Sequence, residues 1–182
     1  DVAWNADASG FFYTRYPRAG ERAPADMDFY QQGDFHKLGT PTEADTYAIG
    51  KEFPRIAETT LAASDDGRFI LATVKNGDGG DAAQYLRGPS GSWTRVADFA
   101  DQAVQGRFGP DGSLYLLSHK SSPRGTILRL APGSAALGSA STVVAESAAA
   151  IDDFRVTRGR IYVVDTVGGP SQLRVLTQDG RP

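Results

Sequence analysis

The sequence predicts an all-β fold, a partial β-propeller of about three and three-quarter blades of four-stranded antiparallel sheet. A unit of strand, glycine-containing turn and strand recurs along the chain, and its most complete copy lies at 61–74. No stretch shows the periodicity of an amphipathic helix. A β-type repeat in the high forties is typical of propeller blades, although a β-sandwich of unrelated hairpins is an alternative. The turn glycines of the four copies, separated by 57, 45 and 47 residues, are Gly10, Gly67, Gly112 and Gly159.

The turns of this repeat contain glycine for a conformational reason. Glycine and aspartate tolerate the positive φ that a two-residue hairpin turn demands, so Asp-Gly between two apolar runs is a strong hairpin signal. The clearest examples are Asp66-Gly67 and Asp111-Gly112, each followed by a strand-forming apolar run.

The first unit is assigned to 1–52 and is the longest of the four. Its predicted strands are 2–4, 11–16, 29–38 and 45–52. Residues 17–28 are rich in proline, alanine and charge, which indicates an exposed loop. That loop accounts for the extra length of this unit.

The remaining units follow the same pattern with shorter connections. The second unit is assigned to 53–99, with strands at 58–63, 68–75, 83–87 and 94–98. The third is assigned to 100–147, with strands at 103–108, 114–118, 126–130 and 142–145. The fourth, at 148–182, is incomplete, with strands at 151–156, 161–165 and 172–176. Residues 1–182 are therefore expected to be part of one β-propeller domain of a longer protein.

Composition narrows the range of functions. The 19 basic and 22 acidic side chains give a net charge of −3, which argues against nucleic acid as a partner because phosphate binding needs a basic surface. No run approaches the length of a membrane span, so we expect a soluble protein without a membrane partner, and cytoplasm and periplasm both remain open. The absence of cysteine excludes disulfides, thiolate metal sites and a cysteine nucleophile.

No catalytic constellation is visible in the sequence. The nearest approach to a Gly-x-Ser-x-Gly nucleophile motif is Gly-Pro-Ser-Gly at 88–91, whose spacing fails and which predicts a hairpin turn. His36 and His119 have no second histidine at metal-ligand spacing, so ordinary structural roles are predicted for both.

Acidic residues are paired at three places, 65–66, 78/81 and 152–153. A glycosidase or Ca²⁺ interpretation stays open, with 76–81 as a weak calcium-loop candidate. Asp66 and Asp111 occupy the same position of the repeat, which favours a role in capping and shaping turns. From the residues alone we therefore predict no catalytic residue, no metal site and no cofactor.

Residues 1–130 resemble the propeller of the prolyl oligopeptidase family, serine endopeptidases of the S9 class that cleave after proline. The order and spacing of several short segments match this family. They are Ala-Trp at 3–4, Gly-Phe-Phe-Tyr-Thr-Arg-Tyr-Pro at 10–17, Phe-His-Lys-Leu-Gly-Thr at 35–40, Glu-Phe-Pro at 52–54, Ser-Asp-Asp-Gly-Arg at 64–68 and Tyr-Leu-Arg at 85–87.

The resemblance implies an enzymatic parent in which a seven-bladed propeller caps an α/β-hydrolase domain that is absent from this chain. That domain would hold the Ser–Asp–His triad, and the propeller would admit only short proline-containing peptides. The inner strands, such as 58–63 and 103–108, would face the central channel. The alternative is a non-enzymatic propeller scaffold that binds a protein or peptide.

The resemblance also implies two candidate substrate-pocket residues. In animal members a methionine and a cysteine line the pocket, and their positions fall near Glu58 and Asp78 in this sequence. Neither residue type is kept here, which departs from the pattern of the family.

Overall fold

The computed structural model describes residues 1–182 as four antiparallel β-sheets connected by loops and 3₁₀ turns. Within each sheet the strands are hydrogen-bonded in chain order. The first sheet contains β1 (Val2–Trp4), β2 (Gly10–Arg15), β3 (Gln32–Lys37) and β4 (Thr46–Ile49), and the second contains β5 (Ala57–Ala63), β6 (Ile70–Asn76), β7 (Ala82–Arg87) and β8 (Trp93–Ala97). The third contains β9 (Ala103–Phe108), β10 (Leu114–Ser118), β11 (Thr126–Leu130) and β12 (Ser141–Val144), and the fourth contains β13 (Ala150–Val156), β14 (Ile161–Thr166) and β15 (Ser171–Leu176).

The all-β partial propeller is confirmed, and every predicted strand is present. The largest differences are at β3 and β4, which are shorter than the predicted 29–38 and 45–52. Residues before β3 are held by a different segment, because the Tyr30 backbone N–H donates to the Arg55 carbonyl at 2.8 Å. The Arg55 guanidinium also stacks 3.5 Å from the centre of the Phe29 ring. No helix of this structure combines the length and the apolar character needed to span a membrane.

The positive φ predicted for the four turn glycines is observed at two of them. Gly67 and Gly112 have φ of 67° and 78°, whereas Gly10 and Gly159 have no positive φ. Gly10 is the first residue of β2, and the left-handed residue of its connection is Ala8. The prediction that Gly10 is the turn residue with positive φ is therefore wrong.

Glycine at position 10 is required by packing instead. A Cβ atom there would lie 2.3 Å from the His36 carbonyl oxygen. The connection containing Gly67 also differs from a two-residue turn, since Ala63 pairs with Ile70 and residues 64–69 lie between them.

The sheets pack face to face, and burial depends on how many neighbours a sheet has. β6 and β10 are each buried over five consecutive residues, because the second and third sheets are covered on both faces. In β14, buried and partly buried residues alternate, because the fourth sheet has a neighbouring sheet on one face in this structure. The apolar run Ile161–Val164 is therefore not buried continuously.

The apolar cores between the sheets differ in continuity. The second and third sheets share one cluster of nine buried residues, and the third and fourth share another of nine. Between the first and second sheets the core is divided into clusters of five and four residues. The boundary between these two sheets is therefore the least continuous of the three.

Each boundary is also bridged by a glutamine that hydrogen-bonds the first strand of the next sheet. The Gln31 side-chain oxygen accepts from the Thr59 backbone N–H in β5. Gln84 donates to the Ala103 carbonyl in β9 at 2.8 Å, and Gln105 donates to the Asp152 carbonyl in β13 at 3.0 Å. These bonds help to place the first strands of successive sheets side by side.

Candidate functional site

The loops of the molecule fall at two opposite ends of the sheets. Face A carries the connections between second and third strands, together with those between successive sheets. Face B carries the connections between first and second strands and between third and fourth strands. A candidate site is present at each end, and the two differ in charge.

Glu58 and Asp78 are brought together at face A. They line one cleft of about 470 Å³ between the second and third sheets. The volume lies within the range of small-molecule and peptide-side-chain pockets. The lining residues are Glu58, Lys75, Gly77, Asp78, Gly80, Val104, Gln105 and His119.

The two carboxylates are positioned by neighbouring parts of the second sheet. Glu58 lies near the start of β5, directly opposite Lys75 of β6. Asp78 lies in the 3₁₀ turn Gly77–Gly79, which ends at a left-handed Gly80 with φ of 84°. Both carboxylates are exposed and neither forms an ion pair, so their negative charge is available to a bound group.

The opposite side of the cleft is formed by the third sheet. His119 Nδ1 lies 3.1 Å from the Pro123 carbonyl oxygen, so Nδ1 carries the hydrogen and Nε2 is the free ring nitrogen. The buried Gln105 Oε1 has no hydrogen-bond partner. Hydrogen-bond acceptors therefore predominate, and Lys75 is the single cationic side chain. Such a cleft can bind and orient a cationic or donor-rich group.

His36, the other histidine, lies on the outer side of the first sheet. Its Nδ1 is 2.7 Å from Asp45 Oδ1, and the Tyr13 hydroxyl donates to Asp45 Oδ2 at 2.6 Å. Burial alone would raise the pKa of Asp45, but the hydrogen bonds from Tyr13 and His36 outweigh it and leave the pKa lowered. The structural role predicted for His36 fits this arrangement.

Three other aspartates of the acidic pairs and repeat turns, Asp66, Asp111 and Asp153, have hydrogen-bond or ion-pair partners. Asp153 pairs with Arg107 at 2.8 Å, which adds an ion pair between the third and fourth sheets. Asp66 accepts from the Ser64 hydroxyl, and Asp111 accepts from the Ser113 backbone N–H. The prediction that the aspartates of the repeat cap and shape turns is confirmed.

The turn at Asp66 gives a prediction for acid stability. Hydrogen bonds from the Ser64 hydroxyl and the Arg68 backbone N–H hold the pKa of Asp66 at about 2, below its ordinary 3.8. Because the pKa is lower in the folded state, the stabilisation is complete above the unfolded value and is lost as pH falls toward 2. We expect Asp66→Asn to lower the melting temperature at about pH 6 and to match the parent chain near pH 2.

The control for this prediction is Asp65→Asn, which alters an exposed carboxylate of the same turn that makes no side-chain hydrogen bond. Thermal unfolding followed by circular dichroism measures both variants. An equal loss of melting temperature in Asp65→Asn and Asp66→Asn at pH 6 would contradict the assignment.

Successive antiparallel sheets of three or four strands, packed face to face with their first strands side by side, define this chain as a partial β-propeller. The chain belongs to the family described as prolyl oligopeptidase, N-terminal β-propeller domain, whose model matches residues 1–182.

Curated relatives agree with this family. The chain is 23% identical over 202 residues to prolyl oligopeptidase A of Galerina marginata (strain CBS 339.88), covering 98% of this chain and 27% of the relative. It is 26% identical over 143 residues to prolyl oligopeptidase A of Amanita bisporigera, covering 71% of this chain and 18% of that relative. The chain thus spans about a quarter or less of these relatives.

Solved structures show the same fold. The chain superposes with a TM-score of 0.85 on a chain from a structural and mechanistic analysis of two prolyl endopeptidases. The match covers 100% of this chain and 27% of that one, at 21% identity. Prolyl oligopeptidase B of Galerina marginata, bound to a 35mer hydrolysis and macrocyclization substrate, matches with a TM-score of 0.79 and 14% identity, over 99% of this chain and 26% of that one.

Proposed function

We propose that this chain is a gating part of the propeller in a prolyl oligopeptidase-type serine endopeptidase that cleaves short peptides after proline. Residues 1–182 then belong to one propeller domain, with blades at 1–52, 53–99 and 100–147 and an incomplete blade at 148–182. The α/β-hydrolase domain of the parent is the partner that supplies the nucleophile, base and acid. The family membership and the four sheets support this proposal.

The observation that carries the proposal is the position of Glu58 and Asp78. They lie on different elements, twenty residues apart in sequence, yet line the same cleft at face A. These are the two positions for which the resemblance to the family implies a substrate pocket. Face A is therefore the side that we assign to the hydrolase domain and to the peptide.

Gating follows from the arrangement of the first strands. β5 lies between β1 and β9, and its side chains alternate between buried and exposed. The exposed set, Glu58, Thr60 and Ala62, belongs to the side that we assign to the channel. Side chains around a narrow channel admit an extended peptide and exclude a folded protein, so the reaction is protected without any covalent step in this chain.

The substrate-facing role predicts a charge effect in the parent enzyme. We expect the double variant Glu58→Gln/Asp78→Asn to lower kcat/KM about tenfold for a short proline-containing peptide with a nearby lysine, mainly through KM. The reason is that a charge-assisted hydrogen bond contributes about 1.5–3 kcal/mol, and each 1.4 kcal/mol is a factor of ten. Steady-state kinetics with a fluorogenic peptide measures this effect.

The first control tests the double variant on the same peptide with norleucine in place of lysine, and the second tests the variant Asp65→Asn, at face B, on the lysine peptide. In each control kcat/KM should stay within about twofold of the value for the unsubstituted parent. A double variant that cleaves both peptides as the parent does would refute the pocket assignment. Absence of peptide cleavage by the parent itself would instead favour a non-enzymatic scaffold.

A further inference from the structure

A second pocket lies at face B, between the first and second sheets. Its volume is about 240 Å³, and it occupies the boundary where the apolar core is divided. The first sheet contributes Phe12 and Phe35, and the second contributes Arg87 and Trp93. Phe12 makes an edge contact with Trp93 and a tilted contact with Phe35, with ring centres 6.3 and 4.9 Å apart. Four of the nine lining residues are thus aromatic, with Tyr47 as the fourth, and Asn5 and Thr46 add polar groups.

Arg87 is the one charged residue among those that line this pocket. Its guanidinium lies 4.7 Å from the centre of the Phe12 ring and makes no hydrogen bond or ion pair. Arg95, on the neighbouring strand, is instead paired with Asp98 at 2.8 Å. Burial lowers the pKa of Arg87, so the site imposes a desolvation cost on a cation that lacks a counter-ion.

We propose that this pocket binds a carboxylate carried on a compact apolar group, as in the C-terminal residue of a peptide. A guanidinium presents paired N–H donors that match the two oxygens of a carboxylate. The aromatic side chains provide an apolar wall beside that charge, and the volume suits a single amino-acid side chain better than a longer chain. The nature of the lining therefore selects a ligand with one anionic end and one apolar end.

This site is separate from the cleft of Glu58 and Asp78. β7 (Ala82–Arg87) begins beside the turn of Asp78 and ends at Arg87, so the two sites lie about 17 Å apart along the strand. The cleft carries the two carboxylates of Glu58 and Asp78, whereas the charged residue of the pocket is the cation Arg87. A ligand at Arg87 would contact both the first and the second sheet and would strengthen the boundary with the divided core. The inference does not depend on the proposed peptidase function.

The fluorescence of Trp93 reports on this pocket directly, because Trp93 lines it and the one other tryptophan of the chain, Trp4, can be replaced. In a Trp4→Phe background, Trp93 emission is titrated with N-acetyl-leucine and, separately, with N-acetyl-leucinamide, which has the same apolar group without the carboxylate. We expect a saturable change with the acid and at least tenfold weaker binding of the amide. Equal binding of acid and amide, or no saturable change with the acid, would overturn the proposal.

Variants test the same point through the protein. Arg87→Met should weaken binding of N-acetyl-leucine at least tenfold, and Arg87→Lys should weaken it less because the charge remains. Arg95→Met is the matched control and should bind as the parent does. If Arg87→Met binds the acid as tightly as Arg95→Met, the proposal fails. The comparison of acid with amide uses no pocket variant, so it stands even where Arg87→Met does not fold.

Discussion

Replacing Phe154 by alanine is expected to lower the free energy of unfolding by about 3–5 kcal/mol. Phe154 lies in β13, is fully buried, and belongs to the cluster between the third and fourth sheets. Its ring contacts the core that also contains Tyr115 and Leu117 of β10. Truncation removes apolar burial and leaves a cavity at the centre of a boundary between sheets. Urea denaturation followed by circular dichroism measures the change.

Leu173→Ala is the control for this prediction, because Leu173 of β15 is 65% exposed. Its effect should stay within about 0.5 kcal/mol. A loss below about 1 kcal/mol for Phe154→Ala would mean that the third and fourth sheets do not pack through this face, which contradicts the propeller arrangement described above.

Replacing Gln84 by methionine is expected to cost about 2–4 kcal/mol, because two buried polar groups lose their partner. Gln84 is fully buried, accepts from the Thr73 hydroxyl at 2.7 Å and donates to the Ala103 carbonyl at 2.8 Å. Methionine is similar in volume, so the loss reports on hydrogen bonding more than on packing. Glycine at 106 makes room for this bridge, since a Cβ there would lie 2.8 Å from Gln84 Oε1.

The matched variant is Gln172→Met in β15, where the glutamine is exposed and makes no side-chain hydrogen bond. It should change the free energy of unfolding by less than about 0.5 kcal/mol. Equal stability of the two variants in urea would show that the bridge from the second to the third sheet contributes nothing to the fold.

Much of the strand architecture could be predicted from local patterns. β9, β10 and β11 have the predicted bounds because each is a compact run of strand-forming residues between turn signals. The start of β3 could not be predicted, because the Tyr30 backbone N–H donates to the Arg55 carbonyl, a contact between segments distant in sequence. The role of Gly10 was also hidden, since its close neighbour His36 is brought there by pairing of β2 with β3.

The candidate site was only partly accessible from the sequence. Glu58 and Asp78 came from the family resemblance, and the fold places them in one cleft. Lys75, Gln105 and His119 complete that cleft from other strands, and no local motif joins them. The glutamine bridges and the pocket of Arg87 were missed for the same reason. A single polar residue in a strand gives no signal of the sheet that it will contact.

The most direct measurement compares this chain and its parent on two substrates, a short fluorogenic peptide containing proline and a folded protein that carries the same sequence in a loop. In the proposed function these sheets screen the substrate and the reaction takes place at a centre outside them. We therefore expect the parent to cleave the peptide and spare the folded protein, while the purified chain cleaves neither. Turnover of the peptide by the chain alone, or equally fast cleavage of both substrates by the parent, would contradict it.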